Sequence, residues 1–497
     1  MRLRDLLQGA ELFGGAPLPE MEISGLCVDS RQAGRGDLFF AVPGAHVDGN
    51  SFIAAAAERG AIAAVSDREP DGHYPIPVVA VKDLADAMAL AASRFFSQPS
   101  ISLKTIGITG TNGKTTTAYF LESILALHGL KPGVIGTINY RVDGQVIAPA
   151  INTTPYSIYL ERLLARMRDA GAKAVAMEVS SHSLSLKRVQ GIYFDAAIFL
   201  NLYRDHLDFH KTQDGYFEAK MKLFEMLGRS NPKKKRFAFI NGDDARAGQV
   251  RDALDPAVQA HTFGLGEGNM WRATGIQDSL DGVSFMLNAP EHPPVAVHLR
   301  LCGRYNVYNA LASISCLSAM GLPLETVVRG AERLESVPGR LESVRLGQEF
   351  HVFVDFAHTE SALSAVIDNL AAFPHGKIYT VFGCGGERDR GKRGPMGVAV
   401  CSRCDHAFIT ADNPRREPLE QIMGDIEAGL KEKGLSNYTV IPDRREAVFA
   451  ALKAAGKGDI VILAGKGHER VQILNTGSVS YNDRETAESI LREILGI

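Results

Sequence analysis

The feature that most constrains the fold is the run from Lys104 to Gly129, KTIGITGTNGKTTTAYFLESILALHG. An apolar strand pattern runs into glycines, and a lysine then opens a helical pattern. Phe120, Leu121, Ile124 and Leu125 fall on one face at helical spacing, and Gly129 stands where a C-cap glycine belongs. A strand, a glycine turn and a helix in that order begin a parallel α/β unit, and they are the context a phosphate loop requires. Backbone N–H groups at a helix N-terminus point at an anion, and glycine lets it approach closely. Gly110, Thr111, Asn112 and Gly113 would form the loop, with Thr116 just behind it. Lys114 would reach the β- and γ-phosphates, and Thr115 would ligate Mg²⁺. Ile108 occupies the place of the generic motif's first glycine, with Gly107 and Gly110 on either side. An ordinary glycine turn is the alternative. The combination of strand, glycines, Gly-Lys-Thr and helix favours a nucleoside triphosphate with magnesium.

The alternation continues on both sides of this run. Residues 1–100 hold CVDSRQAGRGDLFFAVPG, a helical AAAAERGA, then AIAAVSD and IPVVAV, which together read as a small α/β domain. PSISLK is a linker candidate. GVIGTI, a helix near 156–170, KAVAMEVS and FDAAIFLNL follow. VPGR at 337–340 is a second boundary, after which HVFVDFAHT, KIYTVFGCGG, HAFITADNPR and DIVILAGKGHE resume the pattern. The expected fold is α/β with three domains. These are a small N-terminal α/β domain over 1–100, a central phosphate-loop domain with a parallel sheet over 101–337, and a Rossmann-like domain over 338–497.

Composition narrows the function classes. The 497 residues are 45% hydrophobic and 22% charged with a net charge of −3, so no basic surface argues for nucleic acid. The one basic run, Lys233-Lys234-Lys235-Arg236, is accounted for by a solvated loop. No apolar window approaches the ~20 residues of a membrane span, and the first residues lack the apolar core of a secretory signal. A cytoplasmic protein is expected. The six cysteines form no disulfide spacing, and Cys401-x-x-Cys404 lacks the second pair a zinc site needs, so both read as packing residues.

Each apolar strand candidate is followed by polar residues of unusual chemistry. Glu178 and Ser180 follow one; Asn201, Asp205 and His206 another. Arg388 follows a third, Asp412, Asn413 and Arg415 a fourth, and Gly465 and Glu469 a fifth. Open parallel sheets bind ligands beyond the carboxyl ends of their strands. Two domains carrying such clusters suit an enzyme that joins two substrates.

The strings TGTNGKTT, EVSSHSL, NLYRDHLDFH, GRYNVYNAL, PGRLE, VDFAHT, GCGGERDRGKR, DNPR and AGKGHE occur in that order. Together they make the chain resemble the Mur ligases of bacterial cell-wall synthesis, and within them the diaminopimelate-adding branch. The resemblance implies an ATP- and Mg²⁺-dependent ligase. It would join meso-2,6-diaminopimelate to the D-glutamate of UDP-N-acetylmuramoyl-L-alanyl-D-glutamate through an acyl phosphate, releasing ADP and phosphate. A monomer with small-molecule substrates only is expected.

The resemblance also implies roles for single residues. Lys114, Glu178, His206 and Lys220 would be catalytic. Thr115, Glu178, His206 and a carbamylated Lys220 would hold metal, although Lys220 taken alone reads as a surface helix lysine. Asn306, Asn309, Arg340 and Asp355 would join the loop in binding ATP. For the asparagines an N-cap role is the alternative, and for Arg340 and Asp355 an ion pair. Val28, Ser30, Ala45, His46 and Val47, with Asn152, Thr153, Thr154, Ser180 and Arg188, would contact the nucleotide-linked dipeptide. Leu186 replaces a glutamine frequent in the family. Arg388, Asp412, Asn413, Pro414, Arg415, Gly465 and Glu469 would bind diaminopimelate. Arg415 would grip the far carboxylate that lysine lacks, and Glu469 an ammonium. GKRGPM shifts the family's usual proline by one place. The readings kept beside this one are the same ligase using L-lysine, a folylpolyglutamate synthase-like ligase, and a nucleotide-binding switch without ligase chemistry.

Overall fold

Four short parallel strands lie in sequence order near the start of the chain: β1 Gly25–Cys27, β2 Asp37–Phe40, β3 Ala61–Ser66 and β4 Val78–Ala80. They are seen in a computed structural model that describes residues 1–13, 17–44, 47–70, 72–228 and 230–497. Helix α1, Leu84–Phe95, packs Leu84, Ala87, Met88 and Ala91 into one core with Leu38, Phe40 and Val65. Asp83 caps it, accepting the Asp86 N–H at 2.9 Å.

A larger sheet follows. Among its strands are β5 Lys104–Thr109, β6 Pro132–Ile135, β7 Asn139–Val142, β8 Gln145–Pro149, β9 Ala174–Glu178, β10 Ala196–Phe199, β11 Phe237–Asn241 and β12 Gln259–Gly264. Along the sheet they run β12-β11-β10-β5-β9-β6-β7-β8, all parallel except the hairpin formed by β7 and β8 at the edge. β5 lies between β9 and β10, so the loop that leaves β5 emerges where the chain crosses from one side of the sheet to the other. β9, β10 and β11 are buried along their whole length, which is why they read as continuous apolar runs. Helices α2 Lys114–Leu127, α3 Ser157–Asp169 and α4 Gln213–Glu225 belong to this region. The four apolar residues expected on one face of α2 are buried. Gly107 has an explanation of its own: a Cβ there would come within 2.9 Å of Phe194 and Leu223, so glycine lets those side chains close on β5.

The C-terminal sheet includes β13 His351–Asp355, β14 Ile378–Phe382, β15 His406–Ile409, β16 Tyr438–Val440 and β17 Ile460–Ala464, parallel in the order β13-β17-β14-β15-β16, with the short segment Glu342–Ser343 antiparallel beside β13 at the edge. Helices α5 Glu360–Ala371, α6 Arg393–Cys401, α7 Leu419–Glu432, α8 Arg444–Ala454 and α9 Asp483–Leu495 contribute to two cores. One joins Phe353, Ile462, Ile409 and Ile426; the other joins Val354, Val381, Val448 and Ile490. Cys401 and Cys404 sit in the first of these cores, as packing residues should.

The architecture is thus α/β with parallel sheets, as the alternation implies. The chain divides into two compact units. The first comprises residues 1–274, 287–295 and 308–331, and includes both the N-terminal and the central sheets. The second comprises residues 275–286, 296–307 and 332–497. The basic run 233–236 is not simply a solvated loop. Lys233 is largely buried, its ammonium 2.8 Å from Asp195 and donating to the carbonyls of Ile101 and Leu103, while Lys234 and Lys235 are exposed. A polar string cannot show that one of its lysines satisfies the last carbonyls of the short helix Pro99–Ser102.

The shifted proline in GKRGPM falls in the first turn of α6, where a missing N–H costs nothing. Gly394, in the same turn, meets α7 at Gly429. A Cβ on Gly429 would lie 2.5 Å from the Gly394 Cα, so the two helices touch through bare backbone.

Candidate functional site

In the first unit the loop after β5 needs its glycines. Gly110 has φ +151° and Gly113 φ +89°, a region that favours glycine. A Cβ on Gly113 would also collide with the Asn309 amide oxygen. The loop is tied to the end of β10. Thr111 N–H donates to Asn201 O at 3.0 Å, Asn112 N–H to Asn201 Oδ1 at 2.9 Å, and Tyr203 N–H to Thr111 Oγ1 at 2.9 Å. Thr115 and Thr116 are buried in the first turn of α2. Lys114 folds back over the loop, donating to Gly110 O at 2.8 Å and Thr111 O at 2.9 Å.

Glu178, at the end of β9, is buried among donors. Its carboxylate accepts from Thr115 Oγ1 at 3.0 Å, Thr137 N–H at 2.9 Å and Thr137 Oγ1 at 3.0 Å. Gly136 makes this possible, because a Cβ there would overlap Glu178 Oε1. A carboxylate and a hydroxyl side by side behind a phosphate loop are hard oxygen donors of the kind Mg²⁺ takes. Among the described residues, no group of three or more His, Cys, Asp or Glu side chains is arranged to hold a metal. A magnesium site here would therefore draw on the threonine and on bound phosphates as well as on Glu178.

Lys220 is not the surface lysine its helix suggests. It is buried, donates to the same Gly110 O at 3.0 Å, and sits 4.2 Å from the centre of the Tyr216 ring. Burial, with Lys114 adding to it, holds the Lys220 amine well below the ordinary lysine range. His206 lies nearby with φ +53°, its ring edge-on to His182 at 4.9 Å and its Nε2 3.5 Å from Asp205.

The residues assigned to the nucleotide-linked dipeptide are placed unevenly. Thr154 Oγ1 donates to Glu178 O at 2.8 Å and accepts the Ser180 N–H at 3.2 Å. Arg188 donates to Thr154 O at 3.1 Å and lies over the Tyr156 ring at 4.3 Å. Its buried Nε has no hydrogen-bond partner among the described residues. Thr153 Oγ1 is 3.1 Å from Thr137 Oγ1, and Asn152 O accepts from Tyr140. Ser180 Oγ accepts the Ser183 N–H at 3.1 Å and so caps the short helix Ser181–Ser185. Ser30 is buried, Val28 and Val47 are exposed, and Leu186 is exposed where a glutamine is frequent. Ala45 and His46 lie outside the described residues.

In the second unit, a cavity of about 290 Å³ opens beyond the carboxyl ends of β14, β15 and β17. Arg388, Asp412, Asn413, Arg415, Gly465 and Glu469 all line it. Arg415 is held in the left-handed region, φ +56°, by its N–H to Ile473 O at 2.9 Å. Its Nη1 donates to Gly386 O at 2.8 Å and Asn413 O at 3.3 Å, which leaves the rest of the guanidinium fork for a carboxylate. Gly385 stays small because a Cβ would come within 3.1 Å of Arg415 Nη1, and Gly465, φ +109°, because one would meet Asp412. The Pro414 carbonyl packs where a Gly386 Cβ would stand. Beneath this loop the fully buried Arg393 pairs with Glu417 at 2.7 Å and Asp425 at 2.8 Å. That pairing holds the GKRGPM segment despite its shifted proline.

Asn306, Arg340 and Asp355 belong to this second unit, whereas Asn309 belongs to the first. Asp355 accepts the Leu341 and Ala357 N–H groups, both at 2.8 Å, and burial pushes its carboxyl pKa up with Arg340 pulling against it. Arg340 lies over the Phe356 ring at 5.4 Å. Asn306 donates to Cys302 O at 2.7 Å.

Thr137, Gly136 and Lys466 escaped the sequence reading. Thr137 and Gly136 sit in GVIGTI, which reads only as a strand, and the glutamate they surround is 41 residues away. Lys466 stands inside the quoted AGKGHE, but only the fold shows that it is buried against Asn413 and Glu469. Asn201 was visible as a strand-end residue, and its role as the loop's anchor was not.

Known proteins match this arrangement along the whole chain. Three family models fit in order: the "Mur ligase family, catalytic domain" over residues 22–96, the "Mur ligase middle domain" over 108–317, and the "Mur ligase, glutamate ligase domain" over 339–467. The UDP-N-acetylmuramoyl-L-alanyl-D-glutamate--2,6-diaminopimelate ligase of Geobacter metallireducens is 41% identical, with 99% of each chain covered. A solved structure of a ligase of the same name superimposes with TM-score 0.71 at 30% identity, covering 100% of this chain and 99% of that one. The Thermotoga maritima MurF ligase, solved in complex with ADP, shares the fold with TM-score 0.60 at 20% identity, covering 95% of this chain and 97% of that one. On full-length identity of this order, the chain belongs to the Mur ligase family.

Proposed function

We propose that this protein is an ATP-dependent ligase that adds meso-2,6-diaminopimelate to the D-glutamate of UDP-N-acetylmuramoyl-L-alanyl-D-glutamate in peptidoglycan precursor synthesis. The observation that carries the reading is the cavity in the second unit. It combines two guanidinium groups, Arg388 and Arg415, with the Glu469 carboxylate. A substrate with carboxylates and an ammonium fits that set. Lysine would leave the Arg415 fork without a partner, at a cost on the order of 3 kcal/mol.

A carboxylate is a poor acyl donor because hydroxide is a poor leaving group. Transfer of the γ-phosphoryl of ATP to the D-glutamate carboxylate makes an acyl phosphate, and attack by the diaminopimelate amine releases phosphate and forms the amide. The loop from Gly110 to Thr116 cradles the triphosphate through backbone N–H groups, and Lys114 turns from its own loop carbonyls to the phosphate oxygens. Thr115 and Glu178, with His206 and a carbamylated Lys220, are the groups that would hold Mg²⁺. When bound, the metal supplies positive charge against the phosphates. Lys220 suits carbamylation because burial lowers its pKa and so favours the neutral, nucleophilic amine over the ammonium. Arg188, Thr153 and Thr154 fit the anionic dipeptide, and Asn309 fits the nucleotide. Asn306, Arg340 and Asp355 are the second unit's candidates for ATP contact. The protein acts as a cytoplasmic monomer, and no helix among its described residues is long and apolar enough to cross a membrane.

The test is phosphate release with ATP, the UDP-linked dipeptide and a panel of amino acids, run beside Arg415→Ala. Turnover with diaminopimelate at least about 100-fold above lysine, and loss of that preference in the variant, are expected. Equal use of lysine by the unaltered enzyme would overturn the assignment.

A further inference from the structure

Lys466 is fully buried behind the wall of the second-unit cavity, against the lining residues Asn413 and Glu469. Its Nζ donates to Glu469 Oε2 at 2.8 Å and to Asn413 Oδ1 at 3.0 Å. Asn413 Nδ2 donates to the same Glu469 Oε2 at 2.9 Å, closing a ring of three side chains. Ile473 N–H adds a second donor, at 3.0 Å, on Asn413 Oδ1.

The chemistry of the ring leaves it one arrangement. An ammonium has donors only, so the Asn413 amide must turn its oxygen toward Lys466 and Ile473. Its nitrogen then faces Glu469. Both donors converge on Oε2, and Oε1 has no hydrogen bond among the described residues. A cation entering the cavity therefore meets a carboxylate whose orientation is fixed and whose one open oxygen is Oε1. Burying an ammonium is costly, and an apolar residue of the same volume often serves stability as well or better. A charge kept there points to a use beyond packing.

We propose that Lys466 is a positioning residue for the amino-acid substrate: it locks Asn413 and Glu469 so that Glu469 Oε1 receives the substrate's ammonium. The inference rests on the reading of this cavity as the amino-acid site.

Lys466→Met keeps the length of the side chain and removes its donors. The expected result is a rise of at least about 10-fold in KM for diaminopimelate, with KM for ATP and for the UDP-linked dipeptide held within about 2-fold. The effect should be non-additive with that of Glu469→Gln in a double-mutant cycle, since both changes disable one ring. Lys466→Gln, which retains an N–H donor, is expected to fall between wild type and the methionine variant, and it carries the test should the latter not fold. An unchanged KM for the amino acid, or equal losses for all three substrates, overturns the inference. The wild-type amino-acid panel separates this from the functional reading. If wild type prefers lysine, the diaminopimelate assignment fails, and KM for lysine in the same variants still decides the role of Lys466.

Discussion

Arg444 and Asp483 form a two-pronged ion pair with neither side chain exposed to solvent, Nε to Oδ1 at 2.8 Å and Nη2 to Oδ2 at 2.7 Å. Arg444 also donates to Ala464 O at 2.8 Å and Ala411 O at 3.3 Å. It thereby fastens the ends of β17 and β15, immediately before Gly465 and Asp412, to the start of α9. Asp483→Ala leaves a buried guanidinium without its counter-ion and is expected to cost about 3–5 kcal/mol. Arg444→Met combined with Asp483→Leu should recover much of that loss. Urea unfolding of the second unit's transition measures both. A single-variant cost under about 1 kcal/mol would show that the pair does not hold these strand ends.

Glu161 on α3 sets a pH dependence. Burial pushes its pKa up to about 8, and neither carboxyl oxygen has a hydrogen-bond partner among the described residues. The folded chain keeps this proton where the unfolded chain, with an ordinary value near ~4.3, has released it. The contribution is complete below that unfolded value and is lost as pH rises through about 8, so stability falls across the window. Glu161→Gln should flatten the decline and be more stable at pH ~8 by about 2 kcal/mol or more. Melting curves from pH ~5 to ~8 read this out, and parallel pH profiles for the two proteins would refute it.

Glu178→Gln preserves shape but replaces an acceptor with a donor. Its amide nitrogen would face either the Thr137 N–H or the two threonine hydroxyls that now donate to Glu178. Phosphate release is expected to fall at least about 100-fold, with a raised Mg²⁺ requirement. A magnesium titration of turnover checks both, and half-maximal activity in the variant would remove Glu178 from the site.

Lys220→Arg substitutes a cation that does not shed its proton for an amine whose pKa burial lowers. Activity is expected to drop at least about 100-fold, and electron density in crystals of the active enzyme should extend past Nζ as a carbamate. Density that stops at the nitrogen in such crystals would remove the modification from the mechanism.

Gly429→Ala should destabilise the second unit by about 1–3 kcal/mol, because its methyl group would lie 2.5 Å from the Gly394 Cα and α6 and α7 must separate to admit it. Thermal melting measures it, and an unchanged midpoint would mean that the crossing gives way easily.

How much of this could be read beforehand follows from where the physics is local. Parallel strands buried on both faces are continuous apolar runs, so β5, β9, β10, β14, β15 and β17 stand out, and the polar residues that end them mark the sites. The glycine loop and α2 are equally local. What stayed hidden depends on partners far along the chain. Thr137 matters through Glu178, and Lys466 through Asn413, 53 residues earlier. Lys220 reads as surface until α4 is seen to bring it to the Gly110 carbonyl. Lys233 reads as solvated until Asp195 and the ends of two other segments are beside it.

The contact of Gly394 with Gly429 has an evolutionary consequence. Both positions already carry the smallest residue there is, so an enlargement at either one leaves its opposite number nothing to trim. A second-site suppressor at the crossing itself is unavailable, and revertants of Gly429→Ala should map to more distant residues that shift a whole helix.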